Sequence, residues 1–254
     1  MAFGTVHTTT EHTLPRRSLI LTVTPFFEGA THAQIQSMIG DIQHNIPHYL
    51  PTDTYIIADA MHLHLVWDWG ACTPEDIDLT NPAELADILP NIDPQTDLES
   101  LACAKNVKAL LAQRFTDPLF QEVIAHALQA AEATVTLAKE LSTHGLPDGR
   151  EGWEKRFGLK TPVLLKMGLC HGKLFMIDDA LEGLSLKMAS DIAAIAEPGT
   201  ITCGPMVVRT LGEMVADEHT GFRNSKGKAP EISGYTPEAV SSAQIKANIW
   251  RIKP

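Results

Sequence analysis

Apolar residues recur with two different periods along this chain, and the change of period marks its elements. Ser18 to Thr24 (SLILTVT) is a run of aliphatic and β-branched residues and predicts a strand. From His32 to Leu50, Ile35, Met38, Ile39, Ile42 and Ile46 fall at helical spacing, and Pro51 ends that helix. Asp53 to Trp69 (TYIIAD, then AMHLHLVWDW) then predicts a hairpin. In its second half Met61, Leu63, Leu65 and Trp67 share one face, while His62, His64 and Val66 share the other. Phe120 to Leu141 is alanine-rich and predicts a long helix that stops at HGLPDG.

The second half continues in the same manner. Pro162–Cys170 (PVLLKMGLC) and Lys173–Ile177 (KLFMI) predict two strands, and Leu184–Ala196 a helix closed by Pro198-Gly199. Thr200–Cys203 predicts a short strand, Pro205–Ala216 a helix, and Ile245–Ile252 a closing strand after the loop GFRNSKGKAPEISGY. No internal repeat is visible. The order β-α-β-β-α-β, with later additions, predicts an α+β domain on a split βαβ or ferredoxin-like plan. Residues 1–17 read as a mobile tail and 18–254 as a single domain.

Composition narrows the class. The 254 residues are 44% hydrophobic and 20% charged, as expected for one globular domain. No apolar run approaches the ~18 residues needed to cross a bilayer, and the first fifteen residues carry no charged-then-apolar export pattern. The expected location is the cytoplasm. Cys72, Cys103, Cys170 and Cys203 are widely spaced, with no CxxC pair, and read as reduced thiols.

The net charge of −11 is uneven: eight Asp or Glu and no Lys or Arg lie between Ala71 and Ser100. That balance argues against nucleic acid and anionic membranes as partners. It sets Ala71–Ser100 apart as an acidic block.

Several stretches, in order, resemble class III adenylyl and guanylyl (nucleotidyl) cyclases. HGKLFMIDDALEGLSLKMASDIAAIAEPGTI resembles the family's strand, its Gly-Asp-x-Val-Asn-x-Ala-x-Arg helix and a Pro-Gly-x-Ile strand start, with Gly183 at the Gly position. TYIIADAMHLHLVW resembles the family's Lys-x-x-Gly-Asp hairpin, and VTPFFEGAT the strand ending in Asp-x-x-Gly-Phe-Thr. The helix VIAHALQAAEATVTLAKEL stands where the family's long alanine-rich helix belongs. Since the family's connection before it is short, the resemblance implies an acidic insertion at about 70–118, either a surface excursion or a docking element for a protein partner. A second register, with Asp178-Asp179-Ala180-Leu181-Glu182 as the helix motif, places Pro198-Gly199 five residues too late. The resemblance implies the cyclase fold, with extra C-terminal strands and a helix, and a homodimer whose sites form between two domains.

What the resemblance implies about chemistry is that the site has lost most of its polar groups. In the family two carboxylates hold two metal ions, a Lys and an Asp read the base, an Asn orients the ribose, and an Arg offsets charge on the phosphoryl group. Here those positions carry Phe26 and Asp59 for the metals, Tyr55 and Leu184 for the base, Lys187 for the Asn and Asp191 for the Arg. Asp59 alone can still ligate a metal. A like charge about 4 Å from a phosphate costs about 4 kcal/mol at an effective dielectric of about 20, and each ~1.4 kcal/mol is tenfold in rate. No catalytic group is expected intact and no cofactor is expected.

The expectation is therefore a catalytically inactive, cyclase-like regulatory or binding module, for which a nucleotide is one candidate ligand. The alternative is a divergent cyclase using Mg or Mn on ATP or GTP, with acids such as Glu28, Asp178 or Asp179 entering the cleft. His62 and His64 have same-face spacing compatible with a metal but show no third ligand in the sequence. His171-Gly172 reads as a strand end.

Overall fold

The computed structural model describes residues 16–51, 53–71, 118–146, 148–177, 180–204, 207, 236–240 and 249–253. The expected tail up to residue 15, the acidic stretch 72–117, Asp178, Asp179 and nearly all of the helix expected over Pro205–Ala216 lie outside the described residues. So does the loop expected before the closing strand.

Strand β1 (Arg16–Phe26) is the middle of the fold. It runs antiparallel to β3 (Leu63–Ala71) on one side and to β4 (Leu164–Ile177) on the other. Strand β2 (Tyr55–Ala58) pairs with β3 at one edge, giving the order β2-β3-β1-β4. With α1 (His32–Asn45) between β1 and β2, and α2 (Pro118–Thr143) between β3 and β4, this is the βαββαβ ferredoxin-like plan. Beyond β4 the sheet continues through β6 (Thr200–Cys203), parallel to β4, to β8 (Ile249–Lys253) and β7 (Thr236–Val240).

The alternation read from the sequence separates two cores. Leu19, Leu21, Val23, Leu63, Leu65, Trp67, Met167 and Leu169 join Ile35, Met38, Ile39 and Ile42 of α1 and Phe120, Ile124 and Ala127 of α2. On the other face Ile20, Val66, Cys170 and Leu174 meet Ala189 and Ile192 of α4 (Leu184–Ile195). Each fully buried Leu or Ile contributes about 1.5–3 kcal/mol, so a one-residue slip of β1 or β3 would cost both cores at once. Helix α4 lies close on the sheet because Gly168 carries no side chain; a Cβ there would stand 2.5 Å from Ala193 N and 2.6 Å from Ala189 O.

Local chemistry accounts for the differences from expectation. Helix α1 starts at a capping box, with Thr31 accepting from Gln34 N and the Gln34 side chain accepting from Thr31 N. It stops at Asn45 and tightens into a 3-10 turn (Ile46–Tyr49), since Pro47 has no N–H to extend the helical ladder to Leu50. The two strands expected around His171 and Gly172 are one, because both residues keep their register with Leu19 and Ser18 of β1. Arg16 and Arg17, assigned to the tail by the sequence, open β1, and Arg16 forms a forked ion pair with Asp68 of β3 at 2.9 Å and 3.1 Å. Gly70 and Ala71 likewise belong to β3, and Pro118 to α2, rather than to the acidic insertion.

Three elements were not foreseen. They are the short helix α3 (Trp153–Phe157), capped by Gly158 in the left-handed region, strand β5 (Ala180–Glu182) folded back on β4, and β7. The α3 helix is anchored by a buried carboxylate. Asp41 of α1, only 2% exposed, accepts from Trp153 Nε1 at 2.8 Å, pairs with Arg150 at 2.9 Å, and also accepts from Arg156.

Candidate functional site

The β2–β3 hairpin turns through residues 59–62, between the last pair Ala58 and Leu63. Asp59 N–H donates to His62 O at 3.0 Å, and Asp59 Oδ1 accepts from Met61 N–H and His62 N–H, each at 2.7 Å. The aspartate thus folds its own turn, as short polar side chains do. The pairing of Val23 with Leu63 sets this turn beside the C-terminal end of β1, where Phe26 stands.

The turn also gathers imidazoles. Asp59 Oδ2 lies 3.1 Å from His62 Nδ1 and 3.6 Å from His64 Nε2, and the two rings stack with centroids 5.9 Å apart. On its other edge His64 Nδ1 is 2.8 Å from Thr22 Oγ1, its cross-strand neighbour on β1. The His64 side chain is 4% exposed and that of Asp59 52%, so the group is closed at the bottom and open at the top. Burial holds the His64 ring below the usual histidine range, aided by His62, although Asp59 pulls the other way. At Asp59, partial burial opposes ionisation, but the hydrogen bonds from Met61 and His62 outweigh it and keep the carboxyl below its ordinary value. The result is an anionic oxygen facing a histidine held neutral at physiological pH.

The remaining cyclase-like positions are dispersed. Phe26 is 39% exposed at the end of β1, with Lys166 Nζ 5.8 Å from its ring centroid; burial lowers the pKa of that lysine. Tyr55 is exposed at the start of β2, and Leu184 is 71% exposed at the start of α4. One turn on, Lys187 Nζ donates to Asp191 Oδ2 at 2.7 Å, an exposed i, i+4 pair. Asp59 is therefore grouped with His62 and His64, whereas Lys187 and Asp191 neutralise each other.

Gly183 stands immediately before α4, at φ 157°, with Lys173 O 2.9 Å from where a Cβ would be. Ala180–Glu182, the core of the alternative register, is strand β5 and not the start of a helix. Glu28 is solvent-exposed in the turn after β1. His171 is buried edge-on to Phe120 of α2, ring centroids 5.6 Å apart, in the interior of β4 and not at a strand end.

One grouping and one contributor escaped the sequence reading, although Asp59 was named there as able to ligate a metal. The third partner of the histidine pair is Asp59 itself, and its signal was the D-x-x-H-x-H spacing across a tight turn. Thr22 could be found only from the β1–β3 register.

Neither a protein-family model nor a curated protein matches the sequence. Solved structures do. The guanylyl cyclase Cya2 has a TM-score of 0.48 at 11% identity, over 94% of this chain and 92% of that chain. The adenylyl cyclase CyaB from P. aeruginosa has 0.47 at 8%, over 94% and 95%. The likeness to these nucleotidyl cyclases is one of fold. The catalytic core of a rhodopsin-guanylyl cyclase with converted specificity, in complex with ATPalphaS, has 0.45 at 10%, over 96% of this chain and 98% of that chain. No helix among the described residues is long and apolar enough to cross a membrane.

Proposed function

We propose that this chain is a catalytically inactive class III cyclase-like domain that works as a regulatory or binding module, as a homodimer in the cytoplasm. The observation that carries this reading is Phe26 at the end of β1, beside the turn that holds Asp59. In-line displacement on a triphosphate uses two metal ions clamped by carboxylates. Among the described residues the two cyclase-like metal positions offer one carboxylate, and its Oδ1 already accepts from two backbone N–H groups. A magnesium or manganese pair, which demands oxygen ligands in near-ideal geometry, does not fit this donor set.

The exposed face of α4 supports the same reading. A lysine paired to an aspartate offers a triphosphate no net charge, and Asp191 repels the phosphoryl oxygens that an arginine would stabilise. The purified full chain, incubated with ATP or GTP and magnesium or manganese, should give no cyclic nucleotide. Turnover that disappears in Asp59→Ala would overturn this reading.

A further inference from the structure

We propose that Asp59, His62 and His64 form a binding site for a single divalent transition-metal ion, for which zinc is the best match. The inference shares Asp59 with the reading above but does not rest on it, since zinc binding is read without any nucleotide. Among the described residues this is the group of His, Cys, Asp and Glu side chains with metal-ligand spacing, its donor atoms all within 4.8 Å of one another. Zinc bonds of about 2.0–2.1 Å at tetrahedral angles put neighbouring donor atoms roughly 3.3 Å apart. The separations from Asp59 Oδ2, 3.1 Å to His62 Nδ1 and 3.6 Å to His64 Nε2, bracket that value. The donor atoms of the two imidazoles lie within 4.8 Å of each other, and His62 is the more exposed of the two rings.

The surroundings orient each donor. Oδ1 of Asp59 is held by the Met61 and His62 N–H groups, which aims Oδ2 at the histidines. Thr22 Oγ1 against His64 Nδ1 supplies the outer hydrogen bond that metal-ligating histidines generally carry. With the proton on Nδ1, the Nε2 lone pair faces Asp59. At 3.6 Å the Nε2–Oδ2 separation is too long for a good hydrogen bond, so that space is not closed by a direct contact.

Two imidazole nitrogens and one carboxylate oxygen suit zinc, cobalt or nickel and not magnesium or calcium. Exposure of Asp59 leaves a fourth position open to water or to a ligand atom from a partner. A bound ion would tie the turn to the buried His64 of β3.

The test is calorimetric titration of the metal-free full chain with zinc chloride, with cobalt(II) as the spectroscopic probe. One equivalent of zinc should bind, and cobalt should show the intense visible bands of a low-coordinate site. His62→Ala and Asp59→Asn should each weaken zinc by about 100-fold or more, and Thr22→Val by about tenfold, as outer partners do. His48→Ala, on an exposed histidine in the 3-10 turn, should change nothing. Thermal melts of His62→Ala and Asp59→Asn without metal should stay cooperative, which separates loss of a ligand from loss of the fold. Absence of binding to the wild-type chain at ~100 µM zinc, or an isotherm that is the same in wild type, His62→Ala and Asp59→Asn, would overturn the proposal.

Discussion

Asp41 and Asp59 are both carboxylates with nitrogen donors around them, but the donors differ in kind. Asp41 is met by two guanidinium groups and an indole N–H, all permanent donors, and is sealed from water. Its lone pairs are spent on binding α1 to the segment 150–156. Asp59 is met by two backbone N–H groups and by imidazoles, which can present a lone pair instead of a proton, and one side of it is open to solvent. A carboxylate saturated by fixed cations is structural. One sharing its space with imidazoles retains coordination chemistry.

Replacing the two aspartates should separate these roles most sharply. Asp41→Ala leaves Arg156 and the buried Trp153 N–H without their acceptor, and removing one member of a buried charged group costs about 3–5 kcal/mol. Asp59→Ala loses the two turn hydrogen bonds at the surface, about 1 kcal/mol. Urea unfolding of the two variants should therefore show midpoints far apart. Equal losses would mean that Asp59 is as structural as Asp41.

A smaller effect dissects the Asp41 cluster. Trp153→Phe keeps an aromatic ring in a fully buried position and removes only the Nε1 donor to Asp41. The expected loss is about 1–1.5 kcal/mol for the hydrogen bond, together with the misfit of a smaller ring. The measurement is again the urea midpoint with unchanged slope. A loss as large as that of Asp41→Ala would place the weight on the indole and not on the two arginines.

What the sequence disclosed follows the same division. The strict alternation of Met61, Leu63, Leu65 and Trp67 against His62, His64 and Val66 is set by a period that no tertiary contact has to supply, and both cores obey it. The order of strands and helices was legible for the same reason. Asp41 was not, because its partners come from more than a hundred residues away in sequence. Nor was α3, whose five residues are too few to show a period. The Asp59 cluster falls between these cases. Its three residues are local, but reading them as one site required knowing that the hairpin turns at 59–62 and that Thr22 stands opposite His64. Phe26 and Tyr55 were found as departures from a motif, and the structure adds that both are partly exposed.

The smallest expected effect concerns an exposed charged pair, Lys187 and Asp191. Both side chains are mostly in water, and the pair spans one turn of α4. Such i, i+4 pairs contribute about 0.3–0.5 kcal/mol, because solvent screens the attraction and ordering two side chains costs entropy. A double-mutant cycle of Lys187→Ala and Asp191→Ala should give a coupling in that range, and one that fades in high salt. The contrast with Asp41 then rests on burial, since both pairs join a carboxylate to a cation at ordinary distance. A salt-resistant coupling of 2 kcal/mol or more would instead mean that this face of α4 is covered in solution, as a homodimer built across it would require.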